Sequence, residues 1–153
     1  MDLTRTIDAN LQATVPLVAT LGIVIEEVTL DPIAALAFLP DRPEQRNHVG
    51  GPHAGAIFTM AETASGAVLQ ALFSDLFGIA TPLIMNGEMS YRALALGDIR
   101  GQATLRGGVS EVDRVRDELA AGLRPEFFID VEISSATGVT GMLKTHWTLK
   151  PKG

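Results

Sequence analysis

Residues 47–73, NHVGGPHAGAIFTMAETASGAVLQALF, decide the fold of this chain. A glycine-rich loop passes at about His53 into a segment whose apolar residues recur every three or four positions, the period of one helix face. Those positions are Ile57, Ala61, Ala64, Val68 and Leu72. Between residues 54 and 74 the only ionisable side chain is Glu62. The pattern predicts a long helix from His53 to Phe73 that the rest of the chain surrounds.

Alternating apolar and polar residues predict the strands that cover this helix. Two apolar runs, 23–30 and 33–39, flank the turn pair Asp31-Pro32 and indicate a β-hairpin. Further alternation occurs at residues 83–92, 99–106, 127–134 and 140–149. In the first of these, one face is predicted to hold Leu83, Met85, Gly87, Met89 and Tyr91. Such alternation is typical of antiparallel sheets with one face on the core, so we expect an α+β fold of about six strands.

The remaining segments fit one domain spanning residues 1–153. Apolar residues at four-residue spacing near residues 3–11 predict a short N-terminal helix, and Pro16 and Gly22 fit the start and stop of another. Residues 40–52 read as a loop. Apolar residues at helical spacing predict an inserted amphipathic helix at 111–123. His146 falls on the polar face of the last strand, and we expect it to be exposed.

Composition excludes several classes of function. The net charge of −6 argues against a nucleic-acid-binding surface, which needs clustered Lys and Arg. The absence of cysteine excludes a thiol nucleophile and fits a reducing cytoplasm. The N-terminus carries two acids and does not resemble a signal peptide. Residues 54–74 are too polar for a lipid-facing helix, so no membrane association is expected.

The loop and the helix start form the strongest candidate site. Unpaired amides of Ala54 and Gly55, together with the positive end of the helix dipole, favour an anion or a developing oxyanion. Asn47 and His53 lie close enough in sequence to orient a carbonyl group or a water. Glu62 follows His53 by nine residues, and burial on an apolar helix would raise its pKa and make it a better base.

Other interpretations of these residues stay open. Glu62 could lie at a dimer interface or form an ion pair with an arginine such as Arg92. His48, His53 and Glu62 could be imagined as metal ligands, but their spacing matches no zinc motif, and no metal is expected. A serine hydrolase is unsupported, because the chain has no Gly-x-Ser-x-Gly sequence.

The combined motif resembles that of hotdog-fold acyl-CoA thioesterases related to the phenylacetate-degradation (PaaI-like) enzyme. That family's fingerprint reads approximately Asn-x-x-Gly-x-x-His-Gly-Gly, with Asp or Glu nine residues after the His. Here the matching positions are Asn47, Gly50, His53, Gly55 and Glu62. The segments 16–25, 90–98 and 145–147 are also similar, and the likeness covers nearly the whole chain apart from residues 111–123.

The resemblance implies a curved antiparallel sheet around the long helix and a homodimer, or a dimer of dimers, with active sites between subunits. Glu62 would act as base or nucleophile on an acyl-CoA thioester, with the Ala54 and Gly55 amides holding the carbonyl oxygen. Asn47 and His53 would position the group, and no cofactor is needed. The sequence departs from the family at Ala54, where relatives have glycine, and at Ile84, where several relatives carry a hydroxyl group.

Two other functions of the same fold remain open. His48 precedes Glu62 by fourteen residues, a spacing similar to the His and Glu pair of hotdog 3-hydroxyacyl-thioester dehydratases or hydratases, although the proline pattern between them does not match. A non-catalytic acyl-CoA-binding dimer would retain Glu62 without using it. The acyl group itself does not follow from the sequence pattern.

Overall fold

The computed structural model describes residues 2–153 as one long helix wrapped by a six-stranded antiparallel sheet. The helix, α3, spans Ala54–Phe73. The strands in chain order are β1 (Val24–Leu30), β2 (Ile33–Leu39), β3 (Ala80–Tyr91), β4 (Ile99–Leu105), β5 (Glu126–Ser135) and β6 (Gly138–Pro151). Their order in the sheet is β1-β2-β4-β5-β6-β3. The α+β architecture predicted from the alternation is therefore confirmed.

Three further helices complete the fold. They are α1 (Leu3–Thr14), α2 (Pro16–Leu21) and α4 (Val109–Ala120), the last of which lies in the segment where an inserted helix is predicted. Proline at the first position begins α2, and Gly22 with a φ of 70° ends it, because glycine adopts this left-handed conformation at little cost. Single 3₁₀ turns occupy residues 43–45 and 74–76.

The core lies between α3 and the inner face of the sheet. Within α3, residues such as Met60, Ala61 and Ala64 are fully buried, and the helix packs mainly against β2 and β4. Small side chains on α3 let the strands approach closely. With its continuation to Leu76, α3 is long and apolar enough to cross a membrane by length and composition, but most of it is buried inside the fold.

The outer edge of β1 is capped by α1. Three α1 side chains at four-residue spacing hydrogen-bond to backbone atoms along this edge: Thr4 to the Val28 amide (3.0 Å), Asp8 to the Ile25 amide (2.8 Å) and Gln12 to the Ile23 carbonyl (2.6 Å). Side chains four residues apart share one helix face, so a single helix satisfies the strand. This edge offers few free groups to another strand.

The opposite edge, formed by β3, has no such cover. β3 pairs with β6 on one side only, and no element within residues 2–153 pairs with its other side. Four of its apolar side chains are between 39% and 52% exposed: Leu83, Ile84, Met85 and Tyr91. An unpaired edge strand with exposed apolar residues is a site for association with another chain.

The predicted face assignment of β3 is wrong in its first half. A β-bulge interrupts the pairing with β6 between Ile84 and Asn86, so that Ile84 lies opposite the buried Trp147 and Asn86 opposite His146. The extra residue, Met85, reverses the alternation, because a bulge inserts one position into a period of two. Ile84 therefore shares the inner face with Gly87, and Leu83 does not.

The expected exposure of His146 is also wrong. Its side chain is 22% exposed and stacks on the Phe128 ring, with ring centroids 4.4 Å apart and planes 15° apart. Phe128 lies directly across the β5–β6 pair and covers the imidazole. The Glu126 carboxylate lies 3.3 Å from His146 Nε2 on the same side. Alternation assigned His146 to the outer face, and its aromatic neighbour on the adjacent strand covers most of its surface.

Candidate functional site

Glu62 lies half-buried in the middle of α3, at the wall of an open cavity of about 560 Å³. The cavity is bounded by α3, by the residues joining α1 to α2, and by the bulged part of β3 from Ile84 to Gly87. Within residues 2–153 its carboxylate forms no hydrogen bond and no ion pair, including none with Arg92. Burial without a neighbouring cation raises the pKa of Glu62 above its ordinary value. A raised pKa makes the carboxylate a stronger base than an ordinary glutamate.

The first turn of α3 is organised by His53. This residue is the N-cap, and its Nδ1 accepts a hydrogen bond of 2.9 Å from the Gly55 amide. A neutral imidazole that accepts at Nδ1 carries its proton on Nε2, so His53 presents an N–H group to solvent. The Gly55 amide is therefore already occupied. The Ala54 amide makes no hydrogen bond within residues 2–153 and remains free to donate.

Asn47 shapes the loop that precedes α3. Its Oδ1 accepts hydrogen bonds from the backbone amides of Val49 (3.0 Å) and Gly51 (3.1 Å), and the backbone N–H of Asn47 donates to the Gly51 carbonyl at 2.7 Å. Gly50 has a φ of 80°, which favours glycine there. A side chain at Gly51 would collide with the Ala95 carbonyl oxygen. These contacts explain the Asn and Gly positions of the motif as requirements of loop shape.

Within one chain, the predicted site residues form two separate groups. Asn47 and Ala54 line a smaller cavity of about 220 Å³ together with Tyr91 and Ala95, whereas Glu62 does not. Eight residues separate Ala54 from Glu62, which corresponds to about 12 Å along a helix. That distance is too long for one carbonyl group to touch both. His53 and Gly55 are exposed and line neither cavity.

Tyr91 belongs to the site but was missed by sequence reasoning. Its hydroxyl donates a 2.8 Å hydrogen bond to the Ala54 carbonyl, which ties the end of β3 to the first turn of α3. Partial desolvation raises the pKa of Tyr91 above its ordinary value. No sequence period identifies this contact, because the acceptor is a backbone atom. The presence of a polar aromatic residue where an apolar strand ends is the one signal available.

Other polar residues have clear positions. Thr59 lines the Glu62 cavity, and its hydroxyl donates to the Gly55 carbonyl at 2.9 Å. Ile84, at the position where several relatives carry a hydroxyl group, lies in the same cavity as an apolar side chain. His48 is exposed in the loop and does not line the Glu62 cavity. Residues 2–153 contain no cluster of three or more His, Asp or Glu side chains that could hold a metal ion.

Comparison with known protein families and structures gives a consistent result. The family model described as a domain of unknown function (DUF4442) matches residues 4–149. No curated protein matches the chain. A "probable thioesterase" from Pseudomonas aeruginosa superposes with a TM-score of 0.82 at 23% identity, covering 97% of this chain and 96% of that one.

Two further solved structures extend the likeness. A mutant thioesterase from Pseudomonas aeruginosa gives a TM-score of 0.74 at 16% identity, covering 99% of this chain and 96% of that one. The E. coli PaaI protein from the phenylacetic acid degradation operon gives 0.70 at 13% identity, covering 99% and 97%. These likenesses confirm the predicted hotdog fold.

Proposed function

The chain belongs to the DUF4442 domain family and has the hotdog fold, and from this premise we propose that it is an acyl-CoA thioesterase. It would hydrolyse the thioester to a free acid and CoA in the cytoplasm. The observation that carries the proposal is the position of Glu62. It is the one ionisable residue of a twenty-residue core helix, and it borders an open cavity without a charged partner in the described chain.

Glu62 supplies the proton transfer that hydrolysis needs. As general base, its carboxylate takes a proton from a water whose oxygen bonds to the thioester carbonyl carbon. The C–S bond then breaks, and the proton passes to the departing thiolate of CoA. As nucleophile, the same carboxylate would form an anhydride that water opens. A thioester is already activated, so neither route requires a cofactor.

The Ala54 amide stabilises the negative charge that develops on the carbonyl oxygen. It is a free N–H group at the positive end of a twenty-residue helix. The Gly55 amide instead fixes His53, and His53 Nε2 offers a second donor to the substrate. Tyr91 keeps the first turn in position through the Ala54 carbonyl.

Two subunits are needed to bring these groups together. Ala54 and Glu62 of one chain lie about 12 Å apart on the same helix, so the Ala54 amide must meet the Glu62 carboxylate of a second copy. The free β3 edge, with its exposed apolar residues beside the Glu62 cavity, is the surface on which that copy would sit. A C₂ dimer formed there would contain two equivalent sites.

Release of free thiol from a panel of acyl-CoA substrates tests the proposal. The wild-type protein should release thiol, and Glu62→Gln should lower kcat by about 10²- to 10⁴-fold while retaining its fold. Ser74→Ala, at the exposed C-cap of the same helix and outside the Glu62 cavity, serves as the matched control. An unchanged rate in Glu62→Gln would reject the assignment of Glu62.

The same samples separate the alternatives. A dehydratase would convert a 3-hydroxyacyl-CoA to the enoyl product without releasing thiol. A non-catalytic binding protein would retain acyl-CoA on a column and release nothing. Neither alternative gains support from the position of His48, which is exposed and outside the Glu62 cavity.

A further inference from the structure

A third cavity, separate from the one lined by Asn47 and Ala54, adjoins the cavity that contains Glu62. It has a volume of about 220 Å³ and extends from Glu62 toward the C-terminal end of α3, beneath α1 and α2. Val15, Glu62 and Thr63 line both cavities, so the two meet at the carboxylate. We call this third cavity the Gly66 pocket and define it by six residues that do not line the Glu62 cavity: Leu11, Val18, Gly66, Leu69, Phe77 and Trp147.

The pocket follows the one face of α3 that is not fully packed. Glu62, Gly66 and Gln70 recur every four residues and are each only half-buried, whereas the residues between them are almost all buried. Positions at this spacing lie above one another on a helix. A group that reaches the Glu62 carboxylate can therefore continue along the same face over Gly66.

Gly66 creates the space. A Cβ atom added at this position would meet no atom of another residue within 4 Å, so the pocket is open directly above the glycine. Glycine is unfavourable in a helix interior, and no neighbouring side chain or strand within 4 Å excludes a larger residue at this position. The surroundings of Gly66 therefore indicate that this glycine keeps space open beside Glu62.

The walls of the pocket are mostly apolar, and Gln70 is the lining residue of α3 that lies farthest from Glu62. The Trp147 Nε1 donates to Ser65 Oγ at 3.2 Å and to Thr145 Oγ1 at 3.1 Å, so its polar atom is satisfied and its ring faces are left for apolar contact. At the far end, Asn10 Nδ2 donates to Gln70 Oε1 at 2.9 Å and links α1 to α3. The pocket thus has a polar entrance at Glu62, an apolar interior and a polar end at Gln70.

We propose that the Gly66 pocket binds the acyl chain of the substrate and selects acyl groups of medium length. This inference rests on the proposed function, since it places the thioester carbonyl at Glu62. An apolar cavity of about 150 Å³ is enough for benzene, so 220 Å³ accepts an apolar group somewhat larger than one ring. Acetyl would leave the pocket empty, and a long fatty chain would run past the Asn10–Gln70 contact.

Fluorescence gives a binding test that does not depend on hydrolysis, because Trp147 is the only tryptophan of the chain. Bromine quenches tryptophan emission on contact. The probe is 8-bromooctanamide, whose neutral head avoids repulsion by Glu62, with octanamide as the control. Wild-type protein should show saturable quenching by the brominated probe alone, and Gly66→Leu should show none at the same concentrations.

Hydrolysis of acetyl-, octanoyl- and palmitoyl-CoA supplies the second arm. Octanoyl-CoA should be the best of the three for wild type. Gly66→Leu should lower the ratio of kcat/KM for octanoyl-CoA to kcat/KM for acetyl-CoA by at least about tenfold, because displaced methylene groups lose their pocket. Gly66→Val should lower the same ratio by a smaller factor, and it replaces Gly66→Leu in this test if the leucine variant does not fold. Ala9→Leu, which adds the same bulk on the exposed face of α1, is the matched control.

The two proposals fail in different ways. Quenching that Gly66→Leu abolishes, in a protein that hydrolyses no acyl-CoA, would support the pocket and reject the thioesterase. Hydrolysis with no quenching, and with the same chain-length preference in wild type and Gly66→Val, would support the thioesterase and overturn the assignment of the pocket.

Discussion

Replacing Ala54 by proline removes the proposed oxyanion donor and little else. Ala54 is the first residue of α3, where proline is well tolerated and its missing N–H group would have no partner within the helix. The preceding residue, His53, already has the extended conformation that proline requires of its neighbour, with φ −60° and ψ 139°. The Ala54 carbonyl stays available to Tyr91.

The expected loss follows from this geometry. Removal of one oxyanion-hole donor lowers kcat by about 10²- to 10³-fold in enzymes where it has been measured, and we expect a loss of that size with a thermal midpoint close to that of wild type. Ala54→Gly keeps the N–H group and is the matched control. Thiol release at saturating acyl-CoA measures kcat. Wild-type kcat in a folded Ala54→Pro protein would refute the assignment of this amide.

Mixing experiments test where the two halves of the site come from. A 1:1 mixture of Glu62→Gln and Ala54→Pro subunits, allowed to exchange, contains about one half mixed dimers, and each has one intact site of two if the site is shared. Activity should then recover to about one quarter of the wild-type value. If each chain carried a complete site of its own, mixing would restore nothing.

Three other measurements follow from the fold. The pKa of Glu62 is raised in the folded protein, so Glu62→Gln should be more stable than wild type at pH values above that raised pKa. The difference in the free energy of unfolding should shrink as the pH falls through the raised pKa and vanish below the ordinary pKa of glutamate. Urea titrations at several pH values measure this difference, and a difference that is constant with pH would contradict the prediction. Met85→Lys should place a charge at the β3 edge and lower the association constant of the proposed dimer by at least about tenfold. Sedimentation measures this constant, and Lys150→Glu on the neighbouring strand is the control. An unaltered association constant in Met85→Lys would exclude this edge as the interface. Asp8→Ala should leave the Ile25 amide unpaired and lower the free energy of unfolding by about 1–3 kcal/mol, whereas Arg5→Ala, exposed on the same helix, should change it little.

The sequence was sufficient for the elements whose signals are local. The helix α3 begins where predicted because His53 is an N-cap, and it extends to Phe73 because the apolar period continues without glycine pairs or proline. The hairpin turns at Asp31-Pro32 as predicted. These features depend on neighbours in the sequence, which a pattern can represent.

The features that were missed depend on contacts between distant segments. The bulge at Met85 reverses half of β3 without any change in residue type, and it appears only through the pairing with β6. The exposure of His146 depends on Phe128 across the sheet. The space above Gly66 exists because α1 and α2 stand away from α3 at that point, and no period in the sequence records such a distance.

The contrast between the two ends of the sheet limits how many copies can join by strand pairing. Growth of a sheet from chain to chain needs an open edge at both ends, and the three α1 side chains close one of them. Pairing through β3 therefore stops after two molecules, and any tetramer has to use another surface. Loss of α1 would uncover the second edge, so a truncated chain should form open-ended fibres rather than discrete assemblies.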